Sequence, residues 1–229
     1  VGSPGMFSLL RTPILVNGTT ELGAPLDRLS PWLDSLLRPY GEVETALGAQ
    51  TGRRVIKTHT PLDGLPRVPG VTYVCVGRDL RDAFASWDDH VANVDPTRLI
   101  AARVASIGLE DLAELFPEGP PAISPDRAER FRSWVAAPLF TETGASDLNL
   151  ALALAHLGGA WTQRDDPAVL LLHYDDLGAD LAGAFSTLGA RLGCEPTAEM
   201  VAAASKLIDV RPSTRSCALS GYVAAIHAM

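Results

Sequence analysis

One stretch decides the fold: Val71 to Ser86, VTYVCVGRDLRDAFAS. Its first six residues are apolar on both faces, which is typical of a central strand in a parallel sheet. Asp79 is a candidate N-cap, and Asp82 places a carboxylate in the first turn of a helix that runs to about Val94. The stretch therefore predicts a buried strand, a short polar junction and a helix.

The rest of the chain repeats this alternation. Residues 54–59 and 168–174 predict two further strands, and residues 148–162, 180–192 and 197–207 predict further helices. Strands that alternate with helices predict right-handed crossovers and a parallel sheet. With 229 residues, we expect a single α/β domain over residues 1–229, with a central parallel sheet flanked by helices.

Composition excludes several functions. The 27 acidic against 19 basic residues give a net charge of −8, which argues against nucleic-acid binding. The 3 cysteines are widely spaced and form no CxxC pair, so we expect neither zinc nor a disulfide framework. No apolar stretch is long enough for a membrane span and no signal-peptide pattern is present, so we expect a cytoplasmic protein. An anionic ligand would then need local, dedicated positive charges.

Ligands of parallel sheets bind beyond the carboxyl ends of the strands, and the first strand ends in a polar segment, Lys57-Thr58-His59-Thr60-Pro61. Period-two geometry puts Lys57 and His59 on the same side. A histidine near its ordinary pKa can accept a proton from a hydroxyl, and a lysine can neutralise developing negative charge. The pair suits transfer of an anionic group to an alcohol. The alternative is a strand that simply ends in solvent.

The second strand ends at Arg78, where a helix begins. Free N–H groups at a helix start and an arginine fork together favour a phosphate group. Ser86 lies about 12 Å further along the helix axis, so it shares that phosphate only if the arginine and the ligand lie along the helix. In the alternative interpretation Arg78 pairs with Asp79 or Asp82 and Ser86 is solvated. Arg81 is assigned to the solvated surface.

The third strand ends at Tyr174, whose ring or hydroxyl can contact a base. Asp175 and Asp176 follow, but no third ligand stands at metal spacing, so we expect them to cap the next turn and expect no metal site. Two histidines elsewhere receive structural interpretations. His156 interrupts an apolar helix and is expected to be a core or interface residue. His90 is expected to be solvated, and the alternative is that it faces the acceptor.

These three segments resemble the cytosolic-type sulfotransferases. Residues 57–61 resemble that family's KTH.P strand end, and Arg78 with Ser86 is similar to its 3'-phosphate-binding pair. Residues 174–177, YDDL, are similar to its YEDL segment. The order and rough spacing of the three segments also match the family, and the resemblance covers residues from about Gly18 to Gly193. Residues 30–34, SPWLD, are most similar to mycobacterial glycolipid sulfotransferases.

The resemblance implies a P-loop-kinase-like sulfotransferase fold. It implies transfer of a sulfuryl group from 3'-phosphoadenosine 5'-phosphosulfate (PAPS) to a hydroxyl of a small-molecule or glycolipid acceptor. His59 would be the general base and Lys57 would hold the transferred group. Arg78 and Ser86 would bind the 3'-phosphate, and Tyr174 would approach the adenine. Residues 95–138 would be a loop insertion on the acceptor side; no metal is implied, and a homodimer is left open.

Two segments depart from the family pattern. Ser3-Pro4-Gly5 stands where the family has a KSG(T)TW phosphosulfate loop, so Ser3 and Gly5 are expected to contact the cofactor without its lysine, threonines and tryptophan. The glycine-rich KG..G.W segment is not found, and residues 218–222 resemble the family's last helix. The alternatives are a catalytically silent binding protein on the same scaffold and a P-loop-type small-molecule kinase. A complete kinase phosphate loop and a magnesium carboxylate are not visible.

Overall fold

A four-stranded sheet with helices on both faces forms the centre of the chain, in the strand order β1-β4-β2-β3. The computed structural model describes residues 18, 23–24, 26–34, 37–93, 95–108, 123–139, 149–206 and 222–227. The strands are β1 Arg54–Thr58, β2 Val71–Gly77, β3 Val169–His173 and β4 Tyr222–His227. The helices are α1 Leu26–Leu29, α2 Tyr40–Gly48, α3 Leu80–Asn93, α4 Pro96–Ile107, α5 Arg127–Ala136, α6 Leu150–Thr162, α7 Tyr174–Ala179, α8 Leu181–Arg191 and α9 Ala198–Lys206, with a 3₁₀ turn at Leu62–Gly64.

The three predicted strands run in the same direction. β2 pairs in parallel with β3, and β4 is antiparallel to both β1 and β2. The α/β prediction with parallel strands is therefore confirmed. The sequence does not predict β4, and its antiparallel pairing with β1 and β2 makes the sheet mixed. The expected final helix at residues 218–222 is wrong at Tyr222, which begins β4 because its aromatic and β-branched run favours a strand; residues 218–221 lie outside the described residues.

Each face of the sheet carries its own apolar cluster. Val55, Val74 and Val76 pack with Phe185 and Leu188 of α8 on one face. On the opposite face, Tyr73 and Cys75 form a cluster with Leu62 of the 3₁₀ turn and Ala160 of α6. Alternate residues of β2 thus point into two cores, as the apolar run predicts for a strand covered on both sides.

Side-chain caps fix where several helices begin. Asp79 accepts a hydrogen bond from the Arg81 N–H at 2.8 Å, which confirms it as the N-cap of α3. Asp180 caps α8 in the same way, at 2.8 Å from the Gly183 N–H.

The expectation of a loop over residues 95–138 is wrong for its described part, because that part contains α4 and α5. Asp95 accepts from the Thr97 N–H at 3.0 Å, and Pro96 occupies the first turn of α4. This Asp-Pro start is a helix signal in the sequence.

A buried ion pair joins α5 to α3. Asp88 has only 4% of its side chain exposed and accepts from Arg130 at 2.5 and 2.9 Å. Arg130 also donates to the Ser124 and Pro125 carbonyls at 2.8 and 3.0 Å. Phe84, Phe131 and Trp134 pack beside it, with ring centroids 4.9 to 6.3 Å apart. This contact holds the outer helix against the helix that follows Arg78.

Replacing Arg130 with Met should therefore lower the free energy of unfolding by about 2–3 kcal/mol. Breaking a buried pair costs about 3–5 kcal/mol, and Arg127, 3.3 Å from Asp88, offsets part of that loss. Urea unfolding measures the change. Arg132→Met is the matched control, since Arg132 is 68% exposed and reaches Asp126 only at 3.9 Å. Equal stability of the two variants would contradict a stabilising role for the pair.

Candidate active site

The three polar segments that follow the predicted strands meet at one edge of the sheet. Thr58 of β1 is level with Val223 of β4, which is level with Cys75 of β2. Gly77 at the end of β2 is level with His173 at the end of β3. The next residues are His59, Arg78 and Tyr174, so each follows directly after a strand. Two strand spacings, about 10 Å, separate β1 from β2.

The same register puts the predicted site residues on one face. Lys57 is level with Val74 through Ala224 of β4, and Val74 points into the cluster that also contacts Tyr174. Period two along β2 then carries Arg78 to that face. The Arg78 guanidinium carbon lies 4.2 Å from the centre of the Tyr174 ring. The structure thus brings Arg78 and Tyr174 into direct contact, as expected of residues that share a ligand.

The carboxylate of Asp34 organises the end of β1. It accepts hydrogen bonds from the Thr58 hydroxyl at 3.0 Å, the His59 N–H at 2.9 Å and the Thr60 hydroxyl at 3.1 Å. The indole N–H of Trp32 donates to it at 2.5 Å. Residues 31–33 run alongside β1, with Leu33 N–H donating to the Lys57 carbonyl at 2.8 Å. One side chain therefore fixes the backbone on which His59 stands.

The Trp32 ring brings Lys57 and His59 together. The Lys57 ammonium lies 4.0 Å from the ring centre, and the His59 imidazole centroid lies 4.2 Å from it at an interplanar angle of 52°. A cation over an indole face is attracted by the ring quadrupole. Both side chains therefore contact the same indole, and their assignment to one catalytic site stays a prediction.

Electrostatics keep His59 neutral. Burial of the ring and the neighbouring Lys57 charge lower the pKa of His59 from 6.5 to about 3, against the opposing effect of Asp34. The expectation of a near-ordinary pKa is wrong for this structure, because the sequence shows neither the burial nor the distance to Lys57. For Asp34, partial burial raises the pKa, but the hydrogen bond from the His59 N–H, the electrostatic interaction with His59 and the hydrogen bond from the Thr58 hydroxyl together outweigh it, so the pKa is lowered.

Arg78 and Ser86 present polar atoms that lack hydrogen-bond partners within the described residues. Nε and Nη1 of Arg78 and Oγ of Ser86 are inaccessible to solvent and make no hydrogen bond there. Asp79 pairs instead with Arg81, at 2.8 Å. The alternative interpretation, in which Arg78 pairs with an aspartate and Ser86 is solvated, is therefore wrong: Ser86 is 5% exposed, and Arg81 takes the Asp79 carboxylate. Buried donors without partners are costly unless a ligand satisfies them.

The segment after β3 differs in detail from its prediction. Tyr174 is the first residue of α7 and not the last of a strand. His173 caps this helix by accepting from the Asp175 N–H at 3.4 Å, so the prediction that Asp175 or Asp176 caps the turn is wrong. Both carboxylates lie in the first turn, where the helix dipole favours them.

Two predicted cofactor-contacting residues fall outside the described part of the chain. Ser3 and Gly5, expected to contact the cofactor, lie outside the described residues. Across the part of the chain that is described, no group of three or more His, Cys, Asp or Glu side chains is arranged to hold a metal ion. No helix in that part is long and apolar enough to cross a bilayer. Asp34 is not among the site residues predicted from sequence, although the segment SPWLD contains it, and His156 is predicted to be structural.

The α/β sheet carries at one edge an imidazole, an ammonium and a guanidinium whose Nε and Nη1 lack hydrogen-bond partners within the described residues, and parallel sheets of this class bind ligands beyond their strand ends. Residues 19–213 match the family described as the sulfotransferase domain. The chain therefore belongs to the sulfotransferase domain family.

Several proteins with known names are similar to this chain. The chain is 42% identical over 177 residues to a glycolipid sulfotransferase of Mycobacterium tuberculosis strain H37Ra, covering 74% of this chain and 54% of the relative. A glycolipid sulfotransferase of Mycobacterium bovis strain BCG is 38% identical over 190 residues, covering 80% and 58%. The chain thus spans little more than half the length of these relatives. A crystal structure of retinol dehydratase, in complex with androsterone and inactive cofactor PAP, shares the fold with a TM-score of 0.55 at 20% identity, over 89% of this chain and 60% of that one.

Stability should depend on pH through His59. The unfolded chain binds more protons than the folded one between pH 6.5 and about 3, so the stabilisation from neutral His59 is complete above pH 6.5 and is lost as the pH falls toward 3. Between pH 7 and 4.5 the wild-type protein should lose more unfolding free energy than His59→Asn, by at most about 1.4 kcal/mol per pH unit. This range lies above the titration of Asp34, whose pKa is lowered from 3.8. Urea unfolding of both proteins at several pH values measures this difference. The same pH dependence of the free energy of unfolding in both proteins would contradict the low pKa of His59.

Proposed function

We propose that this chain catalyses transfer of a sulfuryl group from PAPS to the hydroxyl of a glycolipid or other small acceptor. The observation that carries the proposal is the pairing of two features at one sheet edge. One is the imidazole–ammonium pair of His59 and Lys57 on Trp32. The other is the buried Arg78 guanidinium, with Nε and Nη1 lacking hydrogen-bond partners in the described structure.

The residues around Arg78 fit a nucleotide that carries an extra phosphate. A guanidinium with two unsatisfied donors is suited to bidentate phosphate binding. Ser86 adds a buried hydroxyl on α3, the helix that begins shortly after Arg78 and whose N-terminus supplies free N–H groups. The Tyr174 ring against Arg78 offers an aromatic surface for a base. These three residues would hold the 3'-phosphate and the adenine of PAPS.

His59 and Lys57 would perform the chemistry. PAPS, when bound, supplies a sulfuryl group joined to a phosphate leaving group. Neutral His59 takes the proton of the acceptor hydroxyl while the acceptor oxygen bonds to sulfur and the bond from sulfur to the phosphate oxygen breaks. Lys57 neutralises the negative charge that develops on the transferred group and leaving oxygen. Asp34 holds the His59 backbone and favours the imidazolium that forms. The products are the sulfated acceptor, adenosine 3',5'-bisphosphate and one proton.

The acceptor class is supported by the relatives and by one surface. Both mycobacterial relatives are named glycolipid sulfotransferases. On α5, Phe131 and Val135 are 39% and 43% exposed, one helical turn apart. An apolar strip of this kind suits an acceptor that carries a lipid-like part.

Arg78→Gln should weaken binding of adenosine 3',5'-bisphosphate by about 10- to 100-fold, since a hydrogen bond to a charged group contributes about 1.5–3 kcal/mol. Titration calorimetry measures the affinity. Arg81→Gln, three residues away, exposed and paired with Asp79, is the matched control and should bind as tightly as wild type. Equal affinity of Arg78→Gln and Arg81→Gln would remove Arg78 from the nucleotide site.

His59→Ala should reduce turnover by roughly 10²–10⁴-fold while bisphosphate binding survives, because a general base contributes about that much to rate. Radiolabelled sulfuryl transfer from PAPS measures turnover, and His90→Ala, at an exposed position of α3, is the control. Wild-type turnover in His59→Ala would rule out the assigned role. Tight bisphosphate binding with no transfer by the wild-type chain would favour a silent binding protein, whereas preference for ATP with magnesium would favour a kinase.

A further inference from the structure

A tryptophan from a segment outside the named strands lies in register with the end of β1. The Lys57 N–H donates to the Pro31 carbonyl at 3.2 Å, and the Leu33 N–H donates to the Lys57 carbonyl at 2.8 Å. These two bonds form a parallel bridge that makes Trp32 level with Lys57. Residues that are level on paired strands point to the same face of a sheet. The backbone therefore brings the indole to the face that carries the Lys57 side chain.

Asp34 fixes the orientation of this indole. An indole has a single N–H donor, and the donor of Trp32 is hydrogen-bonded to the Asp34 carboxylate at 2.5 Å. The same carboxylate accepts from the His59 N–H at 2.9 Å and from the Thr58 hydroxyl at 3.0 Å. The ring is thus tied, through one carboxylate, to the backbone that carries His59. A phenyl or an isobutyl side chain at this position would have no such donor.

The fixed ring contacts both side chains that the proposed reaction uses. The Lys57 ammonium lies 4.0 Å from the ring centre, and the centroid of the His59 imidazole lies 4.2 Å from it. A lysine ammonium ends a flexible stem, and attraction to the indole face restricts its position. His59 is the first residue after β1, beyond the end of the ladder pairing. One rigid surface therefore limits the positions of both groups.

We propose that Trp32 is a positioning residue for sulfuryl transfer, whose indole holds the Lys57 ammonium and the His59 imidazole in one relative geometry. The inference rests on the proposed function for its catalytic meaning, whereas the contacts that carry it belong to the free chain. Trp32 acts through these two side chains and takes no part in the making or breaking of bonds.

The proposed reaction needs both groups in place at the same moment. His59 must reach the acceptor hydroxyl while Lys57 reaches the leaving oxygen, and a misplacement of about 1 Å can cost about 10²-fold in rate. A shared rigid ring keeps the two groups from moving independently. The proposed bisphosphate site at Arg78 follows β2, which lies two strand spacings, about 10 Å, from β1. Loss of the ring should therefore affect turnover far more than bisphosphate affinity.

The test compares two variants in sulfuryl transfer from PAPS to octyl glucoside, a simple glycolipid acceptor. Trp32→Leu removes the ring and should lower kcat by about 10²-fold, as expected for lost positioning. Trp32→Phe should lower kcat only about tenfold, because a phenyl ring still attracts the ammonium but lacks the bond to Asp34. Trp161→Leu is the matched control and should keep wild-type kcat. Trp161 is 62% exposed on α6, with the Arg164 guanidinium carbon 4.9 Å from its ring centre.

Titration calorimetry with adenosine 3',5'-bisphosphate separates positioning from general damage to the fold. Both Trp32 variants should bind the bisphosphate nearly as tightly as the wild-type chain, since the ring lies on the β1 side of the sheet. Equal losses of kcat and of bisphosphate affinity would overturn the proposal. Wild-type kcat in Trp32→Leu would overturn it as well.

Proton spectra of the full chain, without nucleotide or acceptor, test the contacts independently of the reaction. Nuclear Overhauser effects should join the indole protons of Trp32 to the Lys57 Hε protons and to the His59 ring protons. Their absence in the wild-type chain would overturn the proposal even if Trp32→Leu does not fold. A wild-type chain that transfers nothing but shows these effects would refute the proposed function and leave the placement of both side chains by Trp32 intact.

Discussion

The candidate site depends on one carboxylate. Asp34 gathers hydrogen bonds from Trp32, Thr58, His59 and Thr60, and so ties a segment outside the sheet to the end of β1. Without it, the residues after Thr58 have no ladder partner that would fix their direction, because β1 ends there. Its negative charge also opposes the burial and the Lys57 charge that depress the pKa of His59. The same group therefore fixes the geometry of the proposed base and partly offsets the loss of its proton affinity.

The sheet places the remaining groups by simple periodicity. Because β1, β2 and β3 end at one edge, residues far apart in sequence follow their strands at neighbouring points, and period two selects one face for Lys57, Arg78 and Tyr174. The helix that begins after Arg78 adds its free N–H groups to the same edge. Positive charge is thus concentrated locally in a chain whose net charge is −8.

Sequence alone could predict the parts of this arrangement that follow from local patterns. The apolar run of β2, the Asp79 cap and the alternation of strands with helices each depend on neighbouring residues, and each was predicted within a residue or two. Asp34 and Trp32 contact residues about 25 positions later in the chain. These contacts depend on how a segment outside the sheet packs against β1, and no repeating sequence pattern predicts that packing. The burial that makes His59 weakly basic is likewise a property of the assembled layers. β4 pairs with strands about 150 residues earlier, and its short run carries little signal by itself.

The ion pair between α3 and α5 has an evolutionary consequence. Arg130 and Trp134 face inward on α5 and hold it against α3, the helix that contains Ser86, while Val135, one position after Trp134, is 43% exposed. Phe131 is 39% exposed and also contacts Phe84 of α3. Substitution of Val135 can therefore change the exposed surface of α5 without disturbing the contacts of Arg130 and Trp134. Neighbouring positions of one helix thus separate a surface that is free to diversify from the contacts that hold α5 against α3.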